Sequence, residues 1–271
     1  MSAYRFSNRR RASREKTKAD ANQPAHPPRF TQRLAYTVML ILCCSALYAD
    51  HPHSTAQDFN FQIRGFDVSH HQGAIDWSRV SPQQYQFVYL KATEGADYTD
   101  PRFQAHWLAA RERGLYVGAY HFFRFCSSSA ERQAQHFIAT VPKKNNALPP
   151  VIDVEYDSRC MAQLTRQQVL QKMRIMQKLL QQHYEKQPIF YSSAKFYTLY
   201  LQQHFAHAPI WLQDFSGNTP AETQIVFWQY SRQGKISAIQ GTVDLNLFLG
   251  NNAQWQHFLQ HNSIEMPATR Q

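Results

Sequence analysis

Cysteine is scarce, with four in 271 residues, and apart from a basic N-terminal stretch the chain has neither internal repeats nor low-complexity tracts. The missing repeats exclude an architecture made by stacking one unit. Acidic residues are outnumbered 29 to 19, but the imbalance is local. Nine Lys and Arg residues against only Glu15 and Asp20 precede residue 34, a charge of +7, and the remainder carries only +3. The body therefore lacks the concentrated basic face of a nucleic-acid groove, and no nucleic-acid partner is expected. Residues 34–49 lack charge altogether. Sixteen residues are slightly few for a spanning helix and slightly many for the core of a signal peptide. Both readings lead to export, with the Arg-rich flank on the cytoplasmic side of the inner membrane. The segment is expected to be a signal anchor, leaving the body in the periplasm or outside the cell. Cleavage near Ala49 would release it as a secreted form, although Leu47 is bulkier than the residue preferred three positions before a cut. Cys43 and Cys44 lie in this apolar run, where bulky Leu42 argues against a lipoprotein site. Only Cys126 and Cys160 lie beyond it.

From Phe61 onward, strand-like and helix-like pieces alternate, the signature of a mostly parallel sheet. Strands are expected at 63–69, 86–93, 116–123, 150–156, 188–192, 209–215, 226–231 and 243–248. Helix ends are marked between the early strands. Asp100 and Pro101 open one helix and Gly114 closes it. Ser128 with Glu131 reads as a capping box, and Thr165 with Gln168 as another before an apolar stripe from Val169 to Leu180. Beyond the fifth strand only 194–204 still looks helical. The fold class is α/β: a modified TIM-like barrel, five β/α units followed by three further strands, eight strands in all. The expected organisation is a basic cytoplasmic tail (1–33), a signal anchor or signal-peptide segment (34–49), a linker (50–60), a barrel (61–262) and a flexible C-terminal tail (263–271). Cys126 and Cys160 each follow a strand-end residue by five positions, on strands that neighbour in a barrel, so a disulfide across the mouth is expected in an oxidising compartment.

Barrels of this kind gather reactive groups where strands end. The apolar run Pro150–Val154 carries Asp153 and is followed at once by Glu155. Two positions apart on a strand, these carboxyls share a face at roughly 6.5–7 Å between Cα atoms, where mutual repulsion drives one toward its proton-donating form. Asp67 ends the first strand and Asp244 lies on the eighth, its neighbour on closure. Glu94, Tyr120, His121, Tyr191, Trp211, Phe215, Gln229 and Tyr230 sit at or beyond other strand ends. Acids among aromatics suit a polysaccharide cleft, in which rings stack on sugar faces and polar tips bond hydroxyls.

The motifs DVSHHQGAIDW (67–77), FVYLKATEG (87–95), GAYHF (118–122), the Asp153-Val154-Glu155 trio, FYSS (190–193), FWQYS (227–231) and VDLNLF (243–248) occur in order. Together they resemble the successive strand motifs of glycoside hydrolase family 25, the Chalaropsis-type lysozymes, over about residues 63–250. The resemblance implies a modified barrel, no cofactor, and hydrolysis of the β-1,4 bond between N-acetylmuramic acid and N-acetylglucosamine in peptidoglycan glycan strands. It casts Glu155 as general acid and then base. Asp153 would assist the substrate's acetamido group in a retaining pathway or activate a water in an inverting one, and strand spacing does not separate these. Asp67 and Asp244 would be supporting acids. The sixth-strand motif departs from the family's pattern: Phe215 stands where a tyrosine is usual, and Gln213 adds bulk expected to fall inside the cleft. A monomer is expected. Two rival readings remain: a metal-dependent hydrolase using His70, His71 and His121, and a non-catalytic, membrane-tethered peptidoglycan-binding module.

Overall fold

Alternation of side chains along short apolar strands gives the chain two separate cores, one inside a closed sheet and one between that sheet and its helices. In the computed structural model, which describes residues 63–265, nine strands are seen. They are β1 (Arg64–Val68), β2 (Phe87–Glu94), β3 (Tyr98–Thr99), β4 (Tyr116–Phe122), β5 (Val151–Asp153), β6 (Ile189–Ser193), β7 (Ile210–Gln213), β8 (Ile225–Gly234) and β9 (Val243–Phe248). Eight form a barrel in the order β1, β9, β8, β7, β6, β5, β4, β2, closed by parallel pairing of β2 with β1. The two-residue β3 folds back antiparallel on the end of β2 and was not foreseen. Within the barrel only β9 runs antiparallel to its neighbours, β1 and β8. The expected basic tail, apolar segment and linker lie outside the described residues, as does 266–271. Ile264 is buried in the inner core, so the packed body continues past residue 262.

Helices α1 (Phe103–Glu112) and α2 (Ala130–Thr140) follow the second and third barrel strands, and α3 (Ser158–Met161) and α4 (Arg166–Tyr184) follow the fourth. The fifth is followed by α5 (Ala194–Phe196), which runs on into a π-helical turn, Tyr197–Leu201. No helix separates β7, β8 and β9, so three bare strands do end the barrel, but of the five units before them the first carries only two 3-10 turns, His70–Gln72 and Trp77–Arg79, between β1 and β2. Thr165 and Gln168 cap α4 reciprocally. At α2 the cap is Ser129, one residue beyond the expected Ser128. Asp100 accepts from the Arg102 amide at 2.9 Å just ahead of α1, and its other oxygen is drawn to the His70 amide at 2.8 Å. Helix α6 (Asn252–His261) was not anticipated, although Asn251 and Gln254 form its capping box.

Val88, Leu90, Ile152, Phe190 and Leu212 face outward into the helix-covered core. Phe87, Tyr89, Tyr191, Trp211, Phe227 and Phe248 face inward, and α6 adds Trp255 and Phe258, whose rings stack 5.5 Å apart. These rings fill the barrel's lower half, leaving polar side chains for the other end. Gly118 makes room for them, because a Cβ there would stand 2.1 Å from the Tyr89 ring. Gly118→Ala must displace that packed ring. The expected cost is about 1–3 kcal/mol, read as a lowered Tm in thermal denaturation, and an unchanged Tm would contradict this packing.

Candidate active site

At the mouth, a cleft of about 200 Å³ opens among the strand ends. The inward parity that buries Tyr89 and Tyr116 brings Lys91 and Tyr120 into it from β2 and β4. Val151 and Asp153 enter from β5, Tyr191 from β6, Trp211 from β7 and Gln229 from β8, with Asp67, Ser69, His71, Phe122, Glu155 and Asp244 completing the lining. All four expected acids thus share one cleft, together with Tyr120, Tyr191, Trp211 and Gln229.

The other expected residues lie elsewhere. His121 follows the inward Tyr120 and so faces outward; it is fully buried, with Nδ1 2.7 Å from Thr93 Oγ1 and Nε2 3.1 Å from Gln133. Burial pushes its imidazole down to about 4, keeping it neutral. Tyr230 follows the inward Gln229, is absent from the lining, and has its ring 5.8 Å from that of Trp228. Glu94 also lies off the lining; it bonds Lys91 Nζ at 2.6 Å and pairs with Arg124. Phe215 is 42% exposed beyond β7, with the Arg232 guanidinium 5.6 Å from its ring centre. Gln213, expected as bulk in the cleft, is not part of the lining. Conversely, Lys91, Ser69 and Phe122 were not named as site residues, and His71 was named only in the metal reading. Parity could have found Lys91, two positions beyond inward Tyr89.

The acids are held by different means. Asp67 and Asp244 are direct partners across the β1–β9 ladder. Burial, then the charge of Asp244, pushes Asp67 up to about 8, against the pull of donors from Asn246 Nδ2 at 2.7 Å and Gln229 Nε2 at 3.0 Å. Asp244 is itself raised by burial, with Arg232 opposing. Asp153 is only 6% exposed, and its Oδ1 is sealed without a hydrogen-bond partner. Burial first and Glu155 second hold its carboxyl well above the usual range, against Lys91. Glu155 lies beyond the end of β5, exposed at the rim, yet loss of hydration still raises its pKa. It is the acid on this floor most open to an incoming ligand.

The three histidines of the metal reading do not converge. His70 Nδ1 is 2.9 Å from Asp100 Oδ2, His71 borders the cleft, and His121 lies behind the sheet. Among the described residues, no group of three or more His, Cys, Asp or Glu side chains is disposed to hold a metal. Cys126 and Cys160 are joined by a disulfide that ties the segment after β4 to α3.

The sequence pattern described as glycosyl hydrolases family 25 matches residues 66–239. The chain belongs to glycosyl hydrolase family 25. The match takes in Asp67, Asp153 and Glu155 and stops short of Asp244. Among relatives of this family 25 chain, an uncharacterised protein of Escherichia coli K12, YegX, is 37% identical over 207 residues, covering 74% of either chain. Lysozyme M1 of Streptomyces globisporus is 32% identical over 71% of this chain and 69% of its own. A solved family 25 glycosyl hydrolase from Bacillus anthracis superposes with a TM-score of 0.67 at 36% identity, covering 73% of this chain and 93% of that one.

Upward-shifted carboxyls make folding depend on pH in a definite direction. Between the ordinary carboxyl range near 4 and the raised values, reaching about 8 for Asp67, the folded chain holds protons that the unfolded chain has released. Stability contributed by these groups is therefore complete at low pH and lost as pH rises through that window. Their contribution lowers Tm by a few degrees between pH 5 and pH 8, and Asp67→Asn flattens the fall. A fall that is equally steep in the variant would contradict the assignment.

Proposed function

We propose that this family 25 hydrolase is an N-acetylmuramidase, cutting the β-1,4 bond between N-acetylmuramic acid and N-acetylglucosamine in peptidoglycan. The observation that carries the reading is the contrast within one cleft between sealed Asp153 and rim-exposed Glu155, both held above the ordinary carboxyl range. Raised carboxyls of unequal exposure suit unequal roles.

Glu155 donates its proton to the glycosidic oxygen as the bond to the anomeric carbon breaks. The substrate's acetamido oxygen bonds to that carbon, with Asp153 orienting and polarising the acetamido group. Glu155, now ionised, takes a proton from water, whose oxygen displaces the acetamido group, so one water is consumed and configuration is retained. The Asp67–Asp244 pair, holding one proton between two carboxyls, supplies the remaining negative charge beneath the oxocarbenium-like centre. Tyr120, Tyr191 and Trp211 offer rings to the sugar, while Gln229, engaged at both ends of its carboxamide, acts through Asp67.

The barrel acts as a monomer outside the inner membrane, held by residues 34–49 or freed by cleavage near Ala49. The charge-free run and its Arg-rich flank support this placement. Among the described residues no helix is long and apolar enough to cross a membrane.

Release of reducing ends from purified peptidoglycan tests the roles. Glu155→Gln is expected to lose at least about 1,000-fold with its fold intact, and Asp153→Asn a comparable factor. Asp67→Asn or Asp244→Asn loses less. A wild-type rate in Glu155→Gln would overturn the assignment. Wild-type protein that binds the wall without clearing it would leave the binding module as the better reading, and clearing abolished by EDTA would favour the metalloenzyme.

A further inference from the structure

A continuous hydrogen-bond chain converges on Asp67 from both sides. On one side Trp211 Nε1 bonds Asn246 Oδ1 at 2.8 Å. An indole nitrogen can only donate, so the Asn246 oxygen must accept and its Nδ2 must point to Asp67 Oδ2, 2.7 Å away. On the other side Gln229 Nε2 reaches the same Oδ2 at 3.0 Å, and nothing comparable to the indole forces its orientation. Its carbonyl oxygen instead receives the Tyr191 hydroxyl at 2.9 Å and Gln213 Nε2 at 3.2 Å. Gln213 Nε2 also donates to the Tyr191 oxygen at 2.7 Å, which leaves the phenolic hydrogen for Gln229.

We propose that Gln213 is a positioning residue for Asp67: with Tyr191 it occupies the Gln229 carbonyl and so fixes the Gln229 amide as a permanent donor to Asp67. A flipped Gln229 would set its NH₂ against two donors and its oxygen against a carboxylate oxygen, three mismatched contacts in a buried site. With Oδ2 filled from both sides, a proton on the Asp67–Asp244 pair resides on Asp67 Oδ1 or on Asp244. Around the pair, Asp244 acts on Asp67 directly and Arg232 on Asp244 from β8; Tyr120, Asp153 and Tyr191 feel Asp67 from β4, β5 and β6, Glu155 feels Asp244, Lys91 acts on Asp153 and Glu155, and His71 lines the same cleft. Gln213 is half-buried, lies off the cleft lining, and acts only through its neighbours.

The role of Asp67 in turnover rests on the muramidase reading, but the hydrogen-bond claim does not require turnover to test it. In ¹³C carboxyl titrations of the whole chain, Gln213→Met, similar in volume but without donors, raises the Asp67 midpoint by about half to one unit, the scale of one weakened hydrogen bond. Tyr191→Phe moves it the same way, and the double variant moves it by less than the sum. If Gln213→Met fails to fold, Gln213→Ser takes its place. An unmoved midpoint in a folded Gln213 variant, or strictly additive shifts, overturns the proposal. Kinetically, Gln213→Met lowers kcat about tenfold with KM unchanged and moves the acid limb of the rate profile to higher pH. A raised KM at unchanged kcat would mean that Gln213 touches the glycan instead, and would also overturn it. Wild-type protein without turnover sinks the muramidase reading alone, and the titration still decides this one.

Discussion

The pairing of the last barrel strand with the first sets Asp67 opposite Asp244, and the chemistry of the mouth depends on that single rung. Because β9 returns antiparallel, the start of that strand, where Asp244 sits, reaches the same end of the barrel as the finish of β1. A slip of one residue would reverse the faces of β9, sending Asp244 and Asn246 outward and Leu245 and Leu247 into the barrel. The cleft would then lose one acid and the donor that steadies another. Complete burial of Leu247 and packing of Phe248 among the inner rings make such a slip expensive.

The barrel is apolar at one end and acidic at the other, and these properties are linked. Rings from Phe87 to Trp255 exclude water from the lower half, so the carboxyls above them stand on a floor of low polarizability. That is why Asp67 and Asp153 keep protons in the range where exposed carboxyls have lost them. Glu155 differs because its strand has ended. The chain beyond Asp153 is carried by the bond from the Val154 amide to the Tyr191 carbonyl, 2.9 Å, and then by Asp157 capping α3. The bridge from Cys160 to Cys126 anchors that helix to the neighbouring segment. A rim residue is thus held between a strand end and a tethered helix, accessible to a ligand without being loose.

Much of this was legible because period-two alternation is a strong signal in strands that face a core on both sides. It located the barrel strands, and it placed Asp67, Asp153 and Asp244 at one end. The failures came from not carrying the same rule through. Tyr120 and His121 cannot both face inward, nor can Gln229 and Tyr230, yet each pair was taken as cleft residues. For Glu155 the alternation argument did not apply at all, since β5 stops at Asp153, and its arrival in the cleft depends on the turn that follows. Helix α6 had its capping box in plain view at Asn251 and Gln254, but a helix after the last strand has no place in a repeating β/α pattern. Lys91 and Asn246 were passed over because neither looks reactive in sequence; their importance comes from partners on distant strands.

On the reading proposed above, Glu155, the proton-holding glutamate at the rim of this barrel, directs cleavage to the muramic side of the glycan. Mass spectrometry of peptidoglycan digested by the wild-type chain tests it most directly. The expected fragments carry N-acetylmuramic acid at the new reducing end. Fragments ending in reducing N-acetylglucosamine, or anhydro-muramic ends formed without water, would contradict it.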